Sequence, residues 1–208
     1  MVRQRMTGKR RREQLISVGR EVFAERGVDG SSVEEIAQRA GVSKPVVYEH
    51  FGGKEGLYAV IVDREMLALE RVITDALKDG PWRARIEQAT MALLTYVEEE
   101  TDAFLILVRD QVPGEERSYS TLLNTAVSQV THILGKAFEH RGLNPELAEL
   151  YGQALVGMVS NTAQWWLDER KPEKEIVAAH IVNLCWNGLR GMEAAPKLEL
   201  ENSEVGDE

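Results

Sequence analysis

The chain of 208 residues carries one cysteine, Cys185, so it can form no disulfide within itself. That agrees with a reducing compartment. It has no run of about 18 or more apolar residues, so no membrane span is expected. The opening, MVRQRMTGKRRREQ, is basic but holds no apolar stretch, so it is not read as a secretory signal. There is no G-x-S-x-G, no H-E-x-x-H, no glycine loop for phosphates and no cysteine pair. The motif-bearing enzyme classes fall away. His132 and His140 share one helix and His180 lies far along the chain, so no metal set is assembled. No metal or cofactor is expected. Cys185 sits in an apolar stretch and reads as a small buried hydrophobe.

What is present is an ample apolar fraction, 43%, and an uneven charge. The net charge is −9, yet residues 1–60 hold 11 Lys and Arg against 8 acids, and the remainder 14 against 26. A small basic head on a larger acidic body is implied. Arg3, Arg5, Lys9, Arg10, Arg11 and Arg12 come before the first acid. A solvated basic tail is the plainer alternative.

The patterning is helical throughout. Leu15, Ile16, Gly19, Val22 and Phe23 keep helical spacing over Lys9–Arg26, and Gly27 suits the C-terminal cap. Ser32 and Glu35 form an S-x-x-E capping box ahead of the stripe Val33, Ile36, Ala37 and Ala40. Gly41 ends that short helix. Ser43 is the next cap, and Pro45 falls in a first turn, where its missing N–H matters little. Two short helices, Val33–Ala40 and Lys44–Phe51, are thus joined by a tight turn, which is helix-turn-helix spacing. Val47 and Phe51 should face inward. Lys44, Val46, Tyr48, Glu49 and His50 are left outside, on a face suited to a major groove. An ordinary helical hairpin is the other reading of the same pattern.

The stretch REQLISVGREVFAERGVDGSSVEEIAQRAGVSKPVVYEHFGGKEGLY resembles the DNA-binding domain of the tetracycline-repressor family of bacterial regulators. The resemblance covers about fifty residues, 9–58, in the family's order and spacing. It departs at Pro45 and Val46, where members often carry Gly and Thr, so base preference cannot be carried over. By position, the resemblance implies phosphate contacts for Ser43, Tyr48 and Lys54, and base contacts for Lys44, Val46, Glu49 and His50. Ser32, Val33 and Pro45 complete the expected DNA-binding set.

The fold class expected is all-α. A disordered basic arm (1–8) precedes a three-helix helix-turn-helix domain (9–54), a helical ligand-binding and dimerisation bundle (55–193) and an acidic disordered tail (194–208). Arg3, Arg5 and Lys9 to Arg12 are assigned to the DNA backbone or a minor groove. Helices are expected near 54–77, 82–100, 103–110, 118–141, 145–170 and 172–191, with a stop at Pro113-Gly114.

The last helix reads IVAAHIVNLCWNGL, apolar round most of its circumference, and so calls for a second neighbour. A deep single-chain core is one answer. A partner subunit is the other, and it is what the resemblance implies. The expected interface is Leu147, Tyr151, Ala154, Leu155, Trp165 and Trp166 with Ile176, His180, Asn183, Leu184 and Asn187. The resemblance also implies an effector pocket on the middle helices. The residues assigned to it are Trp82, Met91, Leu94, Tyr96, Phe104, Leu105, Leu107, Val108, Leu122, Leu123, Phe138, Met158 and Asn161. A small, elongated apolar effector is expected. The stretch ALVGMVSNTAQWWLDERKPEK is loosely similar to acyl-sensing actinobacterial members, which suggests long-chain acyl compounds. The helix from Lys54 past Met66, Leu69 and Ile73 should link head to pocket. The function expected is a cytoplasmic homodimeric repressor, released from palindromic double-stranded operator DNA by its effector. The alternatives are an activator or dual regulator, a helical enzyme, or a protein-interaction bundle.

Overall fold

A computed structural model describes residues 6–109 and 118–198. Among them every regular element is helical. Helix α1 (Gly8–Arg26) starts where Thr7 Oγ1 accepts the Arg10 N–H at 3.3 Å, and it ends at Gly27. Helices α2 (Val33–Arg39) and α3 (Lys44–Phe51) follow. The capping box is half-made: Ser32 Oγ accepts from the Glu35 N–H at 3.2 Å. The turn between α2 and α3 needs a left-handed residue, and Gly41 supplies it at φ 63°.

These three helices close on Leu15, Val22, Phe23, Ile36, Ala37 and Val47, all buried. They do not close alone. Helix α4 (Lys54–Lys78) brings Leu57, Tyr58 and Ile61 into the same core, and Phe23 meets Tyr58 edge-on at 5.2 Å. Its first turn lies so near the end of α3 that a Cβ on Gly56 would sit 1.9 Å from the Phe51 carbonyl oxygen. Spanning about 37 Å at 1.5 Å per residue, α4 is the rod that leaves the head and enters the body.

The body adds α5 (Trp82–Glu99), α6 (Thr101–Arg109), α7 (Tyr119–Arg141), a 3₁₀ turn (Pro145–Leu147), α8 (Ala148–Glu169) and α9 (Lys174–Arg190). The expected stop at Pro113-Gly114 and the acidic end beyond 198 lie outside the described residues. Helix α6 begins two residues earlier than expected and packs on α1 and α4, tying body to head. The joint is polar at its edge. Arg20 of α1 donates to Glu100 at 2.8 Å and pairs with the buried Glu65 of α4 at 3.6 Å, while Tyr96 donates to Glu65 at 3.4 Å. Burial, with Glu65 beside it, holds the Tyr96 phenol well above its ordinary pKa.

Helix α8 ends at Arg170, a left-handed residue with φ 55°. Its guanidinium holds that conformation by donating to Val97 O and Thr101 Oγ1 and lying over the Trp166 ring. The last helix starts at Lys174 rather than at Pro172, because Glu173 takes the cap position and Pro172 turns its carbonyl to the Trp166 indole N–H at 2.7 Å. Helix α9 buries Val177, Ala178, Ile181, Val182, Cys185 and Leu189, and it packs on α5 and α8.

Candidate nucleic-acid interface and ligand cavity

Helix α3 is anchored by one side chain. Val47 has 0% exposure, and its neighbours turn outward. Ser43, Lys44, Pro45, Tyr48 and Glu49 are exposed, Tyr48 to 53% despite its large ring, and Val46 and His50 are half-buried. The expected reading face is therefore physically available. Ser43 makes no cap bond with its hydroxyl, which leaves that hydroxyl available to a phosphate.

Ser32 accepts the Glu35 N–H on its hydroxyl oxygen and still has an O–H to donate. Three expectations change. Val33 is core, with a buried side chain. Lys54 donates to the Val28 carbonyl at 2.8 Å and the Ser31 carbonyl at 3.1 Å, so it staples the α1–α2 loop to the start of α4. Only its third N–H remains for a phosphate. Lys44 is ion-paired with Glu34 of α2, and must leave it to touch a base.

The arm is shorter than supposed. Lys9 to Arg12 lie within α1, not ahead of it. Arg12 donates to the His50 carbonyl at 2.8 Å and covers the half-buried Phe51 ring at 4.4 Å. A cation at the C-terminal end of α3 offsets that helix's partial negative charge. Gln14 adds a bond to the Ala40 carbonyl at 3.0 Å. Arg3 and Arg5 lie outside the described residues.

The body holds a partly open cavity whose wall is almost wholly apolar. Four helices build it, each with a stripe at helical spacing. Leu69, Ile73 and Leu77 come from α4, and Trp82, Ile86, Thr90 and Leu93 from α5. Leu122, Leu123, Ala126 and Val130 come from α7, and Leu155, Val159 and Ser160 from α8. The rod that leaves the head thus forms one wall of the cavity.

Of the residues assigned to the pocket from sequence, Trp82, Leu122 and Leu123 line it. The others do not. Leu94, Phe104 and Leu107 are core, and Leu105 and Val108 pack half-buried against that core. Met91 and Tyr96 face a separate polar cleft beside Arg20, Glu65 and Glu100. Phe138 belongs to a small cluster with Leu134, Ala148 and Leu189. Met158 receives the Cys185 thiol at 3.6 Å, and Asn161 is exposed. Helix α6, assigned to the pocket from the resemblance, fills the head–body joint instead. The apolar stripes on α4, α5 and α7 are the sequence signal that could have found the walls of this cavity.

The outer faces of α8 and α9 are unusual for a water-facing surface. Trp165 is 51% and Leu184 62% exposed, and Leu147, Leu150 and Ile176 join them. His180, Asn183, Asn187 and Ala154 share these faces, and Tyr151 is half-buried. Two expected members fall elsewhere. Trp166 is buried in the core, and Leu155 lines the cavity. Leu150 was missed, although its spacing from Leu147 and Ala154 places it on the same face. Among the described residues, no group of acids, histidines and cysteine is placed to hold a metal, and no helix is long and apolar enough to cross a membrane.

Comparison with known proteins agrees along both units. The family described as bacterial regulatory proteins, tetR family, matches residues 15–61, and the tetracyclin repressor-like C-terminal domain matches residues 82–188. The transcriptional activator FasR of Mycolicibacterium smegmatis is 28% identical over 86% of this chain and 83% of its own. The transcriptional repressor BepR of Brucella suis is 31% identical over 77% of this chain and 82% of its own. A solved TetR-like regulator from Rhodococcus sp. RHA1 superposes with a TM-score of 0.70 at 23% identity, covering 90% of this chain and all 100% of the other. The helical head that offers α3 and the cavity-bearing body behind it therefore fall within one family, and the chain belongs to the tetracycline-repressor family of DNA-binding transcriptional regulators.

Proposed function

We propose that the protein acts as a homodimer, holding a palindromic operator through α3 of each protomer and releasing it when an apolar effector fills the cavity. One observation carries this reading: α4 packs into the head core at Leu57 and Ile61 and lines the cavity at Leu69, Ile73 and Leu77. A molecule that displaces the lower turns of a continuous helix moves its upper turns too. Two reading helices must sit roughly 34–36 Å apart, or a multiple of it, to meet successive major grooves. A tilt of either α4 spoils that spacing.

Within the head (9–54), Ser43 and Tyr48 hold phosphates, and Lys44, Pro45, Val46, Glu49 and His50 meet bases. Lysine donates to guanine acceptors, glutamate accepts from the cytosine amino group, and valine packs on a thymine methyl. The α2 N-terminus offers backbone N–H groups to a phosphate. The body (55–193) pairs through Trp165, Ile176, Leu184 and their neighbours, because two such faces cover one another around a twofold axis. The cavity binds rather than transforms its occupant: its wall joins apolar side chains, a few hydroxyls and Arg85, with no nucleophile–base pair. A regulator of this kind works in the cytoplasm, where the operator is.

A wall this apolar suits an apolar effector, and a long-chain acyl compound is our first choice within that class. FasR is named an activator and BepR a repressor, so similarity alone leaves the sign of regulation open. Repression is our reading, since effector and operator pull α4 in opposing directions. The test is operator affinity titrated with long-chain acyl compounds in the wild type and in Ala126→Trp, which fills the cavity. The expected result is weakened operator binding in the wild type alone. If no apolar ligand alters operator affinity in the wild type, effector control through this cavity is wrong.

A further inference from the structure

One stripe of α4 runs from the head to the cavity at four-residue spacing. Leu57 and Ile61 belong to the head core, and Leu69 and Ile73 line the cavity. Leu57, Ile61 and Leu69 have 0% exposure. Between them, one turn from each side, stands Glu65, itself only 6% exposed. Its carboxylate meets Arg20 Nη1 of α1 at 3.6 Å and accepts from the Tyr96 hydroxyl of α5 at 3.4 Å. The same Arg20 nitrogen holds Glu100, at the end of α5, at 2.8 Å. Carboxylates from α4 and from the end of α5 thus compete for one guanidinium of α1.

Stability does not account for a charge at this place. Taking a carboxylate out of water is costly unless close bonds replace its hydration. Both Glu65 contacts are long for charge-assisted bonds, which close to about 2.5–2.9 Å. An apolar side chain of similar size would continue the stripe and pack on the same neighbours. Buried ionic groups that add no stability are kept, in the attested cases, to select one arrangement over another. The polar cleft lined by Arg20, Glu65, Met91, Tyr96 and Glu99 opens beside this carboxylate, so water can take over its bonds when α4 shifts.

We propose that Glu65 is the positioning residue that carries the state of the cavity to the head. This rests on the reading of the cavity as the effector site. With the head on its operator, Glu65 tethers α4 to Arg20 of α1 and to Tyr96 of α5. An occupant that pushes Leu69 outward draws Glu65, one turn away, off Arg20, which keeps its bond to Glu100. Helix α1 then stays with the body while the first turns of α4 shift beneath it. Helix α3 packs on α4 and is bonded to α1 through Arg12, so it tilts between the two.

The test needs no effector, because coupling is reciprocal: an operator that fixes the head must also fix the cavity wall. A palindromic duplex obtained by binding-site selection is titrated into wild type, Glu65→Leu, Glu65→Gln and Glu99→Gln. Tryptophan emission reports on the body, with Trp82 on the cavity wall. Glu65→Leu should melt no lower than wild type, which a purely structural role for the carboxylate would not allow. It should bind the operator within about threefold of wild type, yet show less than about half of the wild-type emission change. Glu65→Gln keeps an acceptor for Arg20 and Tyr96 and should fall between. Glu99→Gln removes a charge from the same cleft and should behave as wild type. A full emission change in Glu65→Leu overturns the proposal and leaves the cavity reading standing. A lower melting temperature together with lost operator binding overturns it in favour of a structural role. An equal reduction in Glu99→Gln overturns it in favour of the overall charge of the cleft. If the operator leaves wild-type emission unchanged, head and cavity are not coupled, and the cavity reading falls with this proposal.

Discussion

The head and the body treat buried polar groups in opposite ways. In the head, the groups that burial threatens are answered from within. Ser31 donates to the Val28 carbonyl, Lys54 to the Val28 and Ser31 carbonyls, and Arg12 to the His50 carbonyl. In the body, among the described residues, Thr90 Oγ1 and Thr131 Oγ1 are buried with no hydrogen-bond partner. Each such group destabilises by about 1–3 kcal/mol. The head is a finished object that presents a surface. The body is unfinished in two places, its cavity and its exposed α8–α9 face, the two places where we propose that another molecule fits.

The comparison breaks most visibly at that face. Leu184→Glu places like charges against each other across a twofold interface and should weaken association by roughly 3–5 kcal/mol. The head is untouched, yet operator binding should collapse with the dimer. Sedimentation and operator titration of the same sample check this. A fully dimeric variant would show that the α8–α9 face is not the interface.

Next in size is a lesion where the first turn of α4 meets the head. Gly56→Ala sets a Cβ against the Phe51 carbonyl, where backbone cannot yield, and should destabilise the head by about 3 kcal/mol. All the tryptophans (82, 165, 166 and 186) lie in the body. Part of the helical circular dichroism should therefore melt before the tryptophan emission changes. Coincident transitions would mean that the two units fold as one.

Lys54→Met sharpens the contrast within the head. It removes the Lys54 bonds to the Val28 and Ser31 carbonyls, of which the Val28 carbonyl keeps its bond from Ser31, and should lower head stability by about 1–2 kcal/mol, alongside any loss of DNA affinity. Tyr48→Phe should weaken operator binding without moving the melting curve. Lys54→Met with unchanged stability would return Lys54 to a purely phosphate-holding role.

The smallest expected effect is a gain. Glu34→Gln frees Lys44 from its exposed ion pair and removes a negative charge near the DNA, so operator affinity should rise about two- to threefold at low salt. The gain should shrink as salt screens the field. A loss of affinity would mean that the pair orients Lys44 for reading.

The sequence by itself determined the helices, their caps and the helix-turn-helix, because those depend on near neighbours. Ser32 three residues from Glu35, Gly41 at the turn and Pro45 in a first turn each act over one helical turn, and each does what its type dictates. It also showed that α9 needed neighbours on more than one side. Only the tertiary structure decided which apolar side chain meets a void and which meets a packed neighbour. Leu107 and Leu122 are alike as letters, yet one fills the core and the other lines the cavity. Likewise Val33 became core, Trp166 turned inward to the Pro172 carbonyl, and Lys54 was taken by a loop 23 to 26 residues away. The reason is physical. A cap or a turn is set by contacts a few residues apart, whereas a cavity is the space several helices leave between them, fixed by their crossing and not by any one stripe.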